Sequence, residues 1–287
     1  MDTVKVLAKE LKLKEEHVAR AVALLDEGNT IPFIARYRKE VTGSMDDVTL
    51  RELSDRLNYL RQMDKRREEI AQLIDAQGKL TPEITLALQN AKALVELEDI
   101  YLPYRPKRKT RASVAREKGL EPLAQLISEQ RDAYERTFEE EAALYIDEEK
   151  SVATAAEALA GACDIIAEDI ANTAEYRKML RELCLSDGEI VSKQAKEGES
   201  VYEGYYDFAE PIPKLRSHRV LAINRGEKEE YLKVTLRLDE DKALARLSAF
   251  VVKNPASPAV PILSETVTDS YRRLLFPSLE REVRAQL

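Results

Sequence analysis

The chain has 287 residues, of which 45 are Lys or Arg and 53 Asp or Glu, for a formal net charge of −8. This length can bury a sizeable core in one large domain or two ordinary ones. The acidic balance excludes a surface that is basic all round, so any attraction to phosphate has to come from a local patch. Nine glycines, no tryptophan and long stretches of Ala, Leu, Glu, Lys and Arg predict a mainly α fold.

Apolar residues recur at helical spacing through TVKVLAKEL (3–11) and EEHVARAVALLDEG (15–28), predicting a short helical pair with a tight turn at Lys12. This pair has a helix-turn-helix-like cadence, with Ala8 close under Val18. Residues 14–27 nevertheless carry two basic residues, Lys14 and Arg20, against Glu15, Glu16, Asp26 and Glu27. That balance favours a packing role over a DNA-reading one. A long helix is expected over about 46–76, with Leu50, Leu53, Leu57 and Leu60 as one stripe and Ile70, Leu73 and Ile74 extending it.

Thr81 and Pro82 suit the start of a further helix. Pro103 and Pro106 then predict a loop over 102–112, with helix resuming after Ser113 and again at Glu121-Pro122. Ala-rich helical periodicity fills about 134–185, with breaks near Asp147 to Ser151 and near Asn172. From 188 onward Gly188, Gly198 and Gly204 separate short β-prone runs. The clearest strand is EYLKVTLRL (230–238), where Leu232, Val234, Leu236 and Leu238 alternate with Lys233, Thr235 and Arg237. NPASPAVPILSE (254–265) reads as a proline-rich crossing loop, and VTDSYRRLLFPSLEREVRAQL (267–287) as an amphipathic helix. The domain expectation is a multi-helix body over 1–186, a small mixed α/β segment over 187–263, and a helix over 264–287.

The chemistry-bearing patterns are few. No P-loop, dinucleotide-binding, HExxH or GxSxG motif occurs, and His17 and His218 are the whole imidazole supply. The acidic triplets at 139–141 and 239–241 fan out around a helix rather than converging, so they read as solvated faces. Cys163 and Cys184 have no CxxC spacing and no neighbouring His, which predicts buried free thiols. No catalytic residue, metal ligand or cofactor is expected. The opening residues lack a signal-peptide core and no run of roughly eighteen apolar residues occurs, so a cytoplasmic protein without a membrane partner is expected.

The pattern that stands out is LPYRPKRKTR (102–111), five basic residues and no acid. Arg105, Lys107, Arg108, Lys109 and Arg111 sit on a proline-stiffened segment, beside Tyr101 and Tyr104 as aromatic faces on which bases could stack. The competing reading is a merely solvated basic loop. A second basic segment, RSHRVLAINR (216–225), offers Arg216, Arg219 and Arg225 as phosphate contacts, against the plainer reading of a turn that anchors the β element.

Three stretches carry a resemblance: NTIPFIARYRKEVTG (29–43), YLPYRPKRKTRASVAREKGLEPLA (101–124) and SHRVLAINRGE (217–227) look like the N-terminal half of Tex. These are bacterial transcription accessory proteins. The resemblance implies a cytoplasmic, non-enzymatic factor that influences transcription and has nucleic acid, RNA or single-stranded DNA, as its partner. It also implies an RNase-H-like YqgF domain, helix-hairpin-helix modules and an S1 domain beyond this sequence, the final helix leading toward the first of them and nucleic-acid contact falling mainly on these downstream parts. The alternative it leaves open is a protein-protein scaffold that recruits RNA polymerase or ribosome-associated factors without direct nucleic-acid contact.

Overall fold

A computed structural model describes residues 3–105, 109–198 and 200–287. It divides into two compact units, 1–104 and 105–287. The boundary therefore falls inside the basic tract rather than at 186. The helices of 111–187 pack into the same apolar core as the helices near the C-terminus, so the second unit begins well before the sheet.

In the first unit, α1 (Thr3–Leu11) and α2 (Glu15–Asp26) fold back on each other across Lys12, whose φ of 56° supplies the left-handed turn. The Leu13 amide donates to the Ala8 carbonyl at 2.9 Å, and Ala8 and Val18 are both buried. After α3 (Ile31–Tyr37) and α4 (Lys39–Thr42), the long α5 (Asp47–Asp75) starts at Asp46, whose carboxylate accepts from the Thr49 amide at 2.8 Å. Leu50, Leu53, Leu57 and Leu60 are buried against α1, α2 and α3. Burying each contributes about 1.5–3 kcal/mol.

Further along, Met63, Ile70 and Ile74 pack against α6 (Pro82–Asn90) and α7 (Leu94–Tyr101). Leu73 does not join them: it is 42% exposed, because the stripe drifts around a helix this long and carries position 73 to its outer edge. Thr81 caps α6 as expected, accepting from the Ile84 amide. A 3₁₀ turn, Leu102–Tyr104, follows α7.

In the second unit, α8 (Arg111–Glu117), α9 (Glu121–Ser128) and α10 (Phe138–Ala143) surround α11 (Ala155–Asn172). Helix α8 begins earlier than expected. Thr110 caps it through a reciprocal box with Ser113, which turns the end of the anticipated loop into the first helical turn. Helix α12 (Ala174–Asp187) leads into a three-stranded antiparallel sheet in the order β2-β1-β3, from β1 (Glu189–Gln194), β2 (Asp207–Pro211) and β3 (Leu232–Arg237). Leu232, Val234 and Leu236 are buried and Lys233, Thr235 and Arg237 exposed, as the alternation predicts. Residues 217–228 are not a turn: they form α13 (Ser217–Lys228) between β2 and β3.

After α14 (Glu240–Val251), the expected crossing loop is only half loop. Helix α15 (Val260–Asp269) starts inside it, because Pro261 lies in the first turn, where a missing amide hydrogen costs nothing. A π-helical turn, Ser270–Leu275, then joins α15 to α16 (Phe276–Gln286). In this turn the Phe276 amide donates to the carbonyl of Tyr271, five residues back. The wider turn accommodates Pro277, which has no amide hydrogen and would crowd the carbonyl four residues back in a regular helix.

Candidate nucleic-acid interface

The tract 101–111 is split by the fold. Tyr101 ends α7 and is 6% exposed, in a cluster with Met63, Ile70, Ile74 and Leu97. The Arg66 guanidinium lies 5.6 Å over its ring centroid and is held there by Glu98 at 2.6 Å and Glu69 at 3.1 Å. No ring face remains on which a base could stack, so Tyr101 is a core residue and not a nucleic-acid contact. Tyr104 is half-buried against the same cluster, and its carbonyl accepts from Gln77 at 2.9 Å.

The basic side chains begin the second unit. Arg105, Lys109 and Arg111 are exposed, while Lys107 and Arg108 lie outside the described residues. Lys109 makes a loose 3.7 Å ion pair with Glu117, both side chains being mostly solvated, so the pair takes little from its availability. Arg111 occupies the first turn of α8 and lines a groove of about 450 Å³ with Leu159, Cys163, Asp164, Glu265 and Asp269. Two of those carboxylates are already engaged: Arg273 reaches Asp164 at 2.8 Å and Asp269 at 2.5 Å. Arg111 is thus a cation at the rim of a partly neutralised groove.

The second basic segment lies on α13 and is partly compensated. Arg219 pairs with Glu210 of β2, and Arg225 with Glu229 one turn later at 2.9 Å. Arg216, the residue preceding α13, stays exposed, as does His218. Arg219 is thus partly occupied by a carboxylate of the protein itself, whereas Arg225, in a mostly solvated pair, stays open to solvent. Their partners lie nine and four residues away, a distance at which sequence shows the charges but not the pairing.

The cysteines are free, Cys184 buried and Cys163 half-buried. Burial pushes the Cys184 thiol up to about 11 and raises that of Cys163, so both stay protonated and unreactive near neutral pH. Among the described residues no group of three His, Cys, Asp or Glu converges as a metal site would require. No described helix is long and apolar enough to cross a membrane.

The aromatic faces that sequence reasoning sought at 101 and 104 occur elsewhere. Phe33 and Tyr37 of α3 are exposed, with ring centroids 5.3 Å apart. Their i, i+4 spacing was readable, but in a seven-residue helix it does not say which face is buried.

Comparison with known proteins accounts for the motifs. The Tex-like protein N-terminal domain model matches residues 1–75, and the Tex central region-like model matches residues 134–287. The uncharacterized protein YdcI of Bacillus subtilis is 45% identical over 287 residues, covering 98% of this chain and 39% of its own length. Protein tex of Bordetella pertussis is 39% identical over 297 residues, covering 98% of this chain and 37% of its own length. The human S1 RNA-binding domain-containing protein 1 is 32% identical over 304 residues, covering all of this chain and 30% of its own length. The chain thus spans less than two fifths of the length of these relatives. With the central-region match alone extending over more than half of its residues, the chain belongs to the Tex family of transcription accessory proteins.

Proposed function

We propose that this chain is a nucleic-acid-binding, non-catalytic transcription accessory factor, whose helical units act as a scaffold and whose 105–111 segment adds an electrostatic contact. The observation that carries this reading is the exposure of Arg105, Lys109 and Arg111 within one short tract of basic residues in a chain of net charge −8. Relatives named as transcriptional accessory protein Tex and as S1 RNA-binding domain-containing proteins support the choice of partner. The contact is to phosphate rather than to bases, since Tyr101 has no open face.

The test is fluorescence anisotropy with labelled single-stranded RNA, single-stranded DNA and duplex DNA across salt. The comparison is a variant in which Arg105, Lys107, Arg108, Lys109 and Arg111 are replaced by Ser. If all five side chains meet phosphate, the log-log salt slope approaches about −3.5 on single strands and about −4.5 on duplex, and the variant flattens it. Equal affinities and slopes for the two proteins at low salt would remove the segment from the interface.

A further inference from the structure

Helices α3 and α4 present the rings that the basic tract lacks. Ile34 anchors α3 in the core of the first unit, which leaves Phe33 37% and Tyr37 67% exposed one helical turn apart. Their ring centroids lie 5.3 Å apart at an interplanar angle of 45°. The Arg38 guanidinium sits 5.6 Å over the Phe33 centroid and covers one face of that ring. Tyr37 remains the open platform.

The charge around the rings is uncompensated. Residues 31–43 contain Arg36, Arg38 and Lys39 against Glu40 alone, and all three cations are exposed. Within the described residues none of the three forms an ion pair. On neighbouring α5, by contrast, Arg51, Arg56, Arg61, Arg66 and Arg67 are each bound to a carboxylate. The sequence thus neutralises arginine where it serves packing and leaves it bare beside two exposed rings.

We propose that this α3–α4 surface is a docking site for single-stranded nucleic acid, with a base stacked on Tyr37 and phosphates held by Arg36, Arg38 and Lys39. Alternating rings and cations match the alternation of bases and phosphates along a strand, and stacking tolerates any base because every base has a π face. Two rings are too little apolar area for a stable protein interface, whose core needs a larger desolvated patch. A duplex keeps its bases stacked on each other and offers Tyr37 nothing. The proposal deepens the nucleic-acid reading above but stands on a different unit and on different side chains.

The test uses the full chain and short labelled oligouridylate, oligothymidylate and duplex DNA. Tyr37→Ala is expected to weaken single-strand binding by about fivefold or more, the loss of one base-aromatic stack, and to leave duplex binding unchanged. Tyr37→Phe should retain affinity, since stacking needs the ring and not the hydroxyl. The triple variant Arg36→Gln, Arg38→Gln, Lys39→Gln should flatten the single-strand salt slope by about 2, at roughly 0.7 per phosphate.

Wild-type affinity in a normally folded Tyr37→Ala protein would overturn the proposal. If the five-serine variant of 105–111 loses binding while Tyr37→Ala does not, the loop reading survives and this one falls; the reverse result supports this site and removes the loop. An acidic oligoglutamate that binds as tightly, with the same Tyr37 sensitivity, would make the occupant a protein and overturn the assignment. Absence of any strand binding by the wild-type chain at low salt would overturn both readings.

Discussion

The two units differ in how deeply the ion pairs that join their helices are buried. In the first, the helices packed on α5 are tied to it across solvent: Arg56 grips Glu10 of α1 at 2.6 and 2.8 Å, and Arg61 grips Asp26 of α2 at 2.7 and 2.8 Å, with all four side chains about a third to a half exposed. In the second, Arg177 and Arg181 of α12 are almost wholly buried, and both converge on Glu282 of α16. Surface pairs of the first kind add little and can be lost one at a time. A buried pair cannot lose one partner without stranding the other. The first unit is therefore held by its apolar stripe and its turns, whereas the second carries an ionic knot in its interior.

The most severe break in this contrast is Glu282→Ala. It removes the carboxylate on which two nearly buried guanidiniums of the second unit converge and is expected to cost about 3 kcal/mol, read as a lower denaturation midpoint in guanidinium chloride. Ser278, which hydrogen-bonds both Arg177 and Glu282, cannot supply the missing charge. A loss below 1 kcal/mol would mean that water reaches the knot.

An intermediate effect belongs to the backbone of the first unit. Gly43 ends α4 with φ of 68°, and a Cβ there would lie 2.1 Å from Nδ1 of His17. Gly43→Ala adds left-handed strain to a clash with the imidazole, and thermal melting should show a loss of about 1–3 kcal/mol. His17→Ala in the same background should recover part of it by removing the clash and leaving the strain.

The smallest effect is expected at the surface pairs. Arg61→Ala should cost less than about 1 kcal/mol, and the difference from wild type should shrink as salt is added. The hydrogen bonds from Arg56 and Arg61 hold the Glu10 and Asp26 carboxyls below their ordinary range. Their contribution is therefore complete above the unfolded carboxylate values near pH 4 and is lost as pH falls through the depressed folded values. Melting curves taken from about pH 5 down to 3 should show Arg61→Ala and wild type converging at the acid end. A constant gap would detach the effect from Asp26.

Much of the fold could be read from the sequence because its signals are periodic. The leucines of α5 and the alternation of β3 each repeat often enough to fix a face, and Lys12 marks the first turn. Helix α15 was missed because three prolines in 254–265 hide the fact that Pro261 is in a position where a helix accepts it. The first turn of α8 was missed because its signal is a Thr110–Ser113 box only four residues long.

The candidate site was less legible. The spacing Leu94, Leu97, Tyr101 already placed Tyr101 on the buried stripe of α7, and the nearby basic tract drew it outward in the reading. The family was evident from motif order, because those motifs are long. The availability of individual arginines was not, since it depends on carboxylates that the fold brings in from as far as 109 residues away, as with Asp164 and Arg273.

The π-helical turn at Ser270–Leu275 acts as a phase shifter. A residue added to or removed from a helix rotates everything beyond it by about 100°. Leu279, Glu282 and Val283 are in phase with their partners in the second unit only because this wide turn precedes them. A change that turned this stretch into regular helix at unchanged length would swing the glutamate away from both arginines, although every residue of the knot would still be present in the chain. Deleting one residue there at the same time would restore the phase, so in this stretch the width of the turn and the number of residues are specified together.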